Sequence, residues 1–171
     1  MNAQNIELKA RLGSLAAARQ VAVQVATEHL GIQRQVDTYF GSRDGRLKLR
    51  EIDGRQAQLV WYERPDQPSA KLSNYILAAV DSPAEVKRAL AHACGTRVVV
   101  EKQREVFLAD NVRIHLDQVA GLGDFIEFEA VLGPQVSAIE GHRQVAALAL
   151  RFGIADEMRI QASYADLLER H

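Results

Sequence analysis

Several stretches of this 171-residue chain carry charged residues at alternate positions, a spacing that can do chemistry. Asn5, Glu7, Lys9 and Arg11 alternate with Ile6, Leu8, Ala10 and Leu12. Arg46, Lys48 and Arg50 alternate with Leu47 and Leu49, and Lys102 pairs with Arg104. Arg113, His115 and Asp117 alternate with Ile114 and Leu116, and Glu127 and Glu129 with Ile126 and Phe128. On a β-strand, alternate residues share one face and lie roughly 6.6 Å apart. Each row therefore puts charge on one side and an apolar stripe on the other.

One such row needs no function, because a half-solvated sheet has a polar face. Together the rows differ from that pattern. Exposed sheets mix charge signs to avoid like-charged neighbours, whereas here bases gather on some strands and paired acids on others. With Arg64 and Lys71 added, the bases are Lys9, Arg11, Arg46, Lys48, Arg50, Arg64, Lys71, Lys102, Arg104 and Arg113. Glu7, Asp117, Glu127 and Glu129 stand against them. If helices cover the apolar stripes, these charges must face inward. Cations partly buried at that density need a polyanion, and clustered carboxylates need a divalent cation. A triphosphate carrying Mg2+ or Mn2+ meets both needs, with Arg supplying forked donors and Lys a point charge.

The elements that would position these rows are short. Asn5–Leu12 has strand periodicity, and Ser14 caps a helix that the Ala/Leu/Val-rich stretch extends to Leu30, with Gly31 as the stop. Strands follow at Gln35–Phe40, Arg46–Ile52, through Val60–Tyr62 and at Lys71–Val80; Asp53-Gly54 marks a hairpin. Ser82-Pro83 opens a short helix to about Cys94. Val98–Leu108, Val112–Val119 and Leu122–Leu132 form a meander, and helices follow at about Val136–Phe152 and Tyr164–Glu169. The expected fold is α+β: an eight-stranded antiparallel β-barrel with flanking helices, since closure removes exposed edges. A ferredoxin-like sandwich is the alternative.

Composition narrows the class. The 21 Lys+Arg against 22 Asp+Glu give a net charge of -1, unlike a general binder of nucleic acid or acidic membrane. A 47% hydrophobic content suffices for one core, and no linker or repeat divides residues 1–171, so a single domain is expected. The lone Cys94 excludes an internal disulfide. Polar residues after Met1 and the lack of a long apolar run point to a soluble cytoplasmic protein.

The residues quoted above resemble the CYTH family, which includes class IV (CyaB-type) adenylyl cyclases and thiamine triphosphatases. Asn5-Ile6-Glu7-Leu8-Lys9 is similar to its amino-terminal Glu-x-Glu-x-Lys signature. The likeness continues through Gln35–Phe40, Gly45–Glu51, Tyr62–Pro65, Lys71–Tyr75 and Lys102–Arg104, and closes with Arg113–Asp117 and Leu122–Glu129. It implies a triphosphate tunnel, a homodimer, ATP or another triphosphate as substrate, and Mg2+ or Mn2+ as cofactor. It also implies Glu7, Asp117, Glu127 and Glu129 as metal ligands, with Asp117 a ligand or a support for one. Lys9, Lys48, Arg50, Arg64, Lys71, Lys102, Arg104 and Arg113 would hold phosphates, with Lys9, Lys71 and Arg113 acting at the reaction centre. Asn5 stands where the signature has its first Glu; its amide oxygen brings no charge.

Three activities fit such a site: cyclisation of ATP with release of pyrophosphate, hydrolysis of inorganic or thiamine triphosphate, and binding without turnover. The Gln35–Phe40 and Arg113–Glu129 blocks look closer to CyaB-type proteins, which places the cyclase first. His29, His92, His142 and His171 lack metal-ligand spacing, whereas His115 shares the face of Arg113 and Asp117. Cys94 reads as a small structural hydrophobe and Trp61 as core or interface. Tyr39 and Tyr75 read as structural residues of the family pattern. No Gly-x-x-x-x-Gly-Lys phosphate loop is present. The C-terminal helices read as packing or dimer surface without chemistry.

Overall fold

The computed structural model describes residues 2–170, so Met1 and His171 lie outside the described residues. The chain runs β1 (Asn2–Arg11), α1 (Leu15–Val25), β2 (Glu28–Phe40), β3 (Arg46–Ile52), β4 (Gln56–Glu63), β5 (Lys71–Ala79) and α2 (Pro83–Cys94). It continues with β6 (Thr96–Ala109), β7 (Val112–Val119), β8 (Gly123–Val131), α3 (Ala138–Arg151) and α4 (Tyr164–Leu168). All strand pairs are antiparallel, and the barrel closes in the order β1-β5-β4-β3-β2-β6-β7-β8. The barrel, not the sandwich, is the architecture.

Local chemistry explains most boundaries. The Ser14 hydroxyl accepts the Ala17 N–H at 3.2 Å and starts α1. Asp53 and Gly54 both have positive φ, 52° and 65°, at the centre of a turn that the Arg55 N–H closes onto the Ile52 carbonyl at 3.0 Å, within the three-residue connection from β3 to β4. One expectation fails at the end of α1. The helix stops at Val25, not Leu30, because Glu28–Leu30 is recruited into β2, where Glu28 pairs with Leu108 of β6. Gly31 lies inside that strand, with φ 90°, at a shift in the β2–β6 register. It marks a β-bulge in place of a helix stop.

The apolar stripes face outward, and helices cover much of them. Ile6, Leu8, Ile114, Leu116, Ile126 and Phe128 pack with Ala18 and Ala22 of α1 and Val145 and Ala149 of α3. On another side, Phe40, Leu49 and Ala57 meet Val86 and Leu90 of α2. Because alternate residues point to opposite faces, the charged rows turn into the barrel. The segment after α3 closes one end of it. Arg159 bridges to Ala10, the Ile160 N–H donates to the Lys9 carbonyl at 2.9 Å, and Tyr164 packs with Tyr39, Val100, Val119 and Phe125. Among the described residues, no helix is long and apolar enough to cross a membrane.

The outward core gives a direct test. Phe128 is fully buried and meets the Phe152 ring edge-on, with centroids 5.2 Å apart. Phe128→Ala should lower the unfolding free energy by about 3–5 kcal/mol, measured by urea denaturation.

Candidate functional site

The barrel encloses a cavity of about 190 Å³ lined by side chains from all eight strands and from the closing segment. β1 contributes Asn5, Glu7 and Lys9; β3 contributes Lys48 and Arg50; β6 contributes Lys102 and Arg104; and β8 contributes Glu127 and Glu129. Arg64 and Arg113 also reach it. Seven basic and three acidic side chains thus share one lining. Strand register sets their neighbours: Glu7 lies opposite Glu129, Lys9 opposite Glu127, and Glu127 opposite His115.

Two buried carboxylates organise the cations. Arg50 donates to Asp37 through two bonds of 2.7 and 2.8 Å, and the Lys48 ammonium donates to the same carboxylate at 2.8 Å. Across the barrel, Arg104 donates to Asp117 at 2.7 and 2.5 Å, with Lys102 3.4 Å away and the Tyr164 hydroxyl donating at 2.9 Å. Each unit is a Lys-x-Arg strand held by an Asp directly opposite the Arg. Arg104 also meets Glu127, which accepts from Lys9 at 2.6 Å. Glu7 pairs with Arg64 at 2.9 Å, and Glu129 lies 3.5 Å from Arg113.

The titration behaviour shows what this lining lacks. Burial opposes ionisation of Asp37, yet Arg50 and Lys48 outweigh it and hold the carboxyl well below its usual range. Asp117 is held low by Arg104 and Lys102, and Glu127 by Lys9 and Arg104, in both cases against burial. Lys102 and Lys71 go the other way. Burial, joined by Arg104, pulls Lys102 down to about 7. Burial, joined by Arg64, pulls Lys71 down to about 8. Glu7 is raised by burial, with Glu129 and Glu127 adding and Arg64 opposing. Lysines pushed toward neutrality call for an anion, and a carboxyl pushed up among other carboxylates calls for a cation.

Most of the anticipated residues meet here, with informative exceptions. Lys71 is buried, but its ammonium donates to the Gln67 and Gln161 carbonyls at 2.7 and 3.3 Å and is not part of the cavity lining. Asp117 is not part of the cavity lining; it lies behind Arg104, and its oxygens accept from Arg104 and Tyr164. Arg46 turns to Asp66 and Asp166, and Arg11 donates to the Leu122 carbonyl. Cys94 is exposed, which corrects its reading as a packed hydrophobe. Trp61 is not in the lining; its indole N–H donates to the Asp44 carbonyl at 2.9 Å.

Two residues that shape the site escaped sequence reasoning. Asp37 sits in the Gln35–Phe40 row without a second acid at i+2, the signal that exposed Glu127 and Glu129. Tyr164 belongs to a C-terminal helix that was expected to carry no chemistry, yet its ring lies 3.5 Å from the Lys9 ammonium and forms part of the cavity wall. No local pattern marks it; only the return of α4 to the barrel end does.

The CYTH domain family model matches residues 3–164. A Pyrococcus horikoshii protein has the same fold with a TM-score of 0.85 at 22% identity, over 95% of this chain and 98% of that one. A proposed adenylate cyclase of Vibrio parahaemolyticus superposes with a TM-score of 0.79 at 21% identity, over 96% and 97% of the two chains. A proposed adenylyl cyclase of Hippeastrum, described as having a dominant triphosphatase activity, gives 0.65 at 17% identity, over 97% and 95%. No curated protein matches the sequence.

The carboxylate clamps predict an acid response. Asp37→Asn removes the counter-charge of two buried cations and should lower the unfolding free energy by about 3–5 kcal/mol at pH 7. Folded-state values below the unfolded ones mean that the carboxylates' contribution is present above about pH 4 and drains away as pH falls through the folded values. Denaturation curves between pH 7 and pH 3 should show a smaller acid-induced loss in the variant.

Proposed function

The chain belongs to the CYTH domain family, and from that premise we propose that it is a metal-dependent enzyme acting on a triphosphate inside the barrel, with ATP cyclisation as its activity. The observation that carries this reading is the shape and charge of the cavity. Its volume is below the roughly 300–1,000 Å³ of pockets that enclose drug-sized ligands, so the interior suits a phosphate chain and leaves a nucleoside outside it. Gln58, Val60, Tyr75 and Leu77 line the cavity away from the closed end, where an organic group would rest.

In this reading Lys9, Lys48, Arg64 and Lys102 hold the outer phosphates toward the closed end. Arg50 and Arg104 flank the chain, and Arg113 meets it at the mouth. In cyclisation the ribose 3′-hydroxyl gives up its proton to water as its oxygen attacks the α-phosphorus, the bond from that phosphorus to the α–β bridging oxygen breaks, and pyrophosphate leaves. The deep cations neutralise the charge that develops on pyrophosphate, and their clamped positions avoid reorganisation during the step. Asp37 and Asp117 keep the two Lys-x-Arg pairs in place. Lys71 supports the closing segment through the Gln161 carbonyl, a positioning role in place of direct contact.

The acidic corner suits a hard divalent cation, since Glu7, Glu127 and Glu129 supply oxygen donors and the buried Asn5 Oδ1 has no hydrogen-bond partner among the described residues. A bound Mg2+ or Mn2+ would neutralise phosphate oxygens and polarise the reacting phosphorus. Asn5 lowers the charge of the corner by one relative to a Glu at that place.

A second reading, hydrolysis of the terminal phosphate of inorganic or thiamine triphosphate, is favoured by the concentration of lysines at the closed end and by the activity named for the Hippeastrum protein. Product analysis separates the two. ATP, thiamine triphosphate and inorganic triphosphate are each incubated with Mg2+ or Mn2+. Cyclic AMP with pyrophosphate is the expected result; orthophosphate without cyclic AMP supports hydrolysis, and tight binding with neither product overturns both. Lys48→Ala, which removes one charge-assisted contact, should lower kcat/KM about 10- to 100-fold.

A further inference from the structure

His115 has no part in the reading above, yet its surroundings are unusual for a histidine. Its side chain is 6% exposed and it lies on β7 directly opposite Glu127 of β8. Neighbours across a strand pair have Cβ atoms about 4.5–5.5 Å apart. Its Nδ1 lies 3.7 Å from Glu127 Oε2 and 3.7 Å from Glu129 Oε1, too far for a hydrogen bond to either. That nitrogen is buried and, among the described residues, has no hydrogen-bond partner. An unpaired buried ring nitrogen costs free energy that one rotation toward a donor or acceptor would recover. Asn5 Oδ1, on the same cavity lining as Glu127 and Glu129, is likewise buried and, among the described residues, without a partner.

A single partner accounts for both the spacing and the missing bonds. The ligand atoms of His115, Glu127 and Glu129 all lie within 4.8 Å of one another. Around an octahedral ion with bonds of about 2.2 Å, adjacent donors are about 3.1 Å apart and opposite ones about 4.4 Å. The 3.7 Å spacings fall between these limits, so side-chain adjustments that exchange the Arg104 contact of Glu127 Oε2 for the ion bring all three atoms onto one cation. Imidazole is a poor ligand for Mg2+ and a good one for first-row transition ions.

We infer that His115 Nδ1 is a ligand, with Glu127 and Glu129, of a divalent cation in this corner, and that it biases the site toward Mn2+ and later first-row ions over Mg2+. The inference rests on the reading of the corner as a cation site, and it deepens it by naming the ion class. The nitrogen restores a donor where Asn5 supplies only a neutral oxygen.

The test is pulsed electron paramagnetic resonance on the full chain with Mn2+ alone, without nucleotide. The expected spectrum shows nitrogen coupling from a coordinated imidazole, which disappears in both His115→Ala and His115→Gln. Calorimetry should show Mn2+ binding weakened by about ten-fold or more in these variants, with Mg2+ binding changed much less. Two variants guard against a folding defect, which circular dichroism would reveal, and the coupling in the unaltered protein needs neither of them. Bound Mn2+ without nitrogen coupling, or coupling that survives both substitutions, overturns the role of His115 while leaving the triphosphate reading intact. If no divalent ion binds, even with inorganic triphosphate present, the cation corner itself is wrong and this inference falls with it.

Discussion

A cation taken out of water costs several kcal/mol unless opposite charge or directed hydrogen bonds replace its hydration, and this barrel takes in many. Lys9, Lys48, Arg64, Lys71, Lys102 and Arg104 are all buried. Their burial follows from the arrangement of the other face. Ile6, Phe128, Ile114 and Leu116 must be covered by α1 and α3, so alternation leaves the charges no direction but inward. A barrel normally fills its interior with apolar side chains; here the apolar layer is on the outside, and the interior is a charged chamber.

That chamber is partly compensated by its own carboxylates, and the pattern of compensation is informative. Asp37 and Asp117 are fully engaged by Arg and Lys, so they fix cation positions and leave little capacity for a ligand. Glu7, Glu127 and Glu129 crowd into one corner, where burial and mutual repulsion push Glu7 up while Lys9 and Arg104 hold Glu127 down. Lys9 and Lys102 are pulled toward neutrality by burial and by other cations. A protein that preassembles separated sites for an anion and a cation avoids reordering them when a metal-bound polyphosphate enters.

The strands and their charged faces could be read from sequence because period-two alternation is a local signal. β3 and β7 match the expected ranges, and the rows at Glu7, Lys48, Arg104 and Glu129 all reach the cavity. What failed depends on distant partners. The helical composition of residues 26–30 yields to pairing with β6, and Gly31 reads as a helix stop until that strand is present. Tyr164 becomes a cavity residue only because α4 returns to the end of the barrel. Lys71 lies on the inward face as expected, but the carbonyls of Gln67 and Gln161, both in loops, capture its ammonium. The single acid Asp37 lacked a paired neighbour that would distinguish it from a solvated side chain.

The central claim is that the inward charges form one binding site for a metal-bound triphosphate. A crystal soaked with Mn2+ and a non-hydrolysable ATP analogue tests it most directly. The account predicts a phosphate chain inside the barrel among Lys9, Lys48, Arg64 and Lys102, with Mn2+ beside Glu127 and Glu129. An empty chamber in crystals that bind the analogue elsewhere on the protein would contradict it.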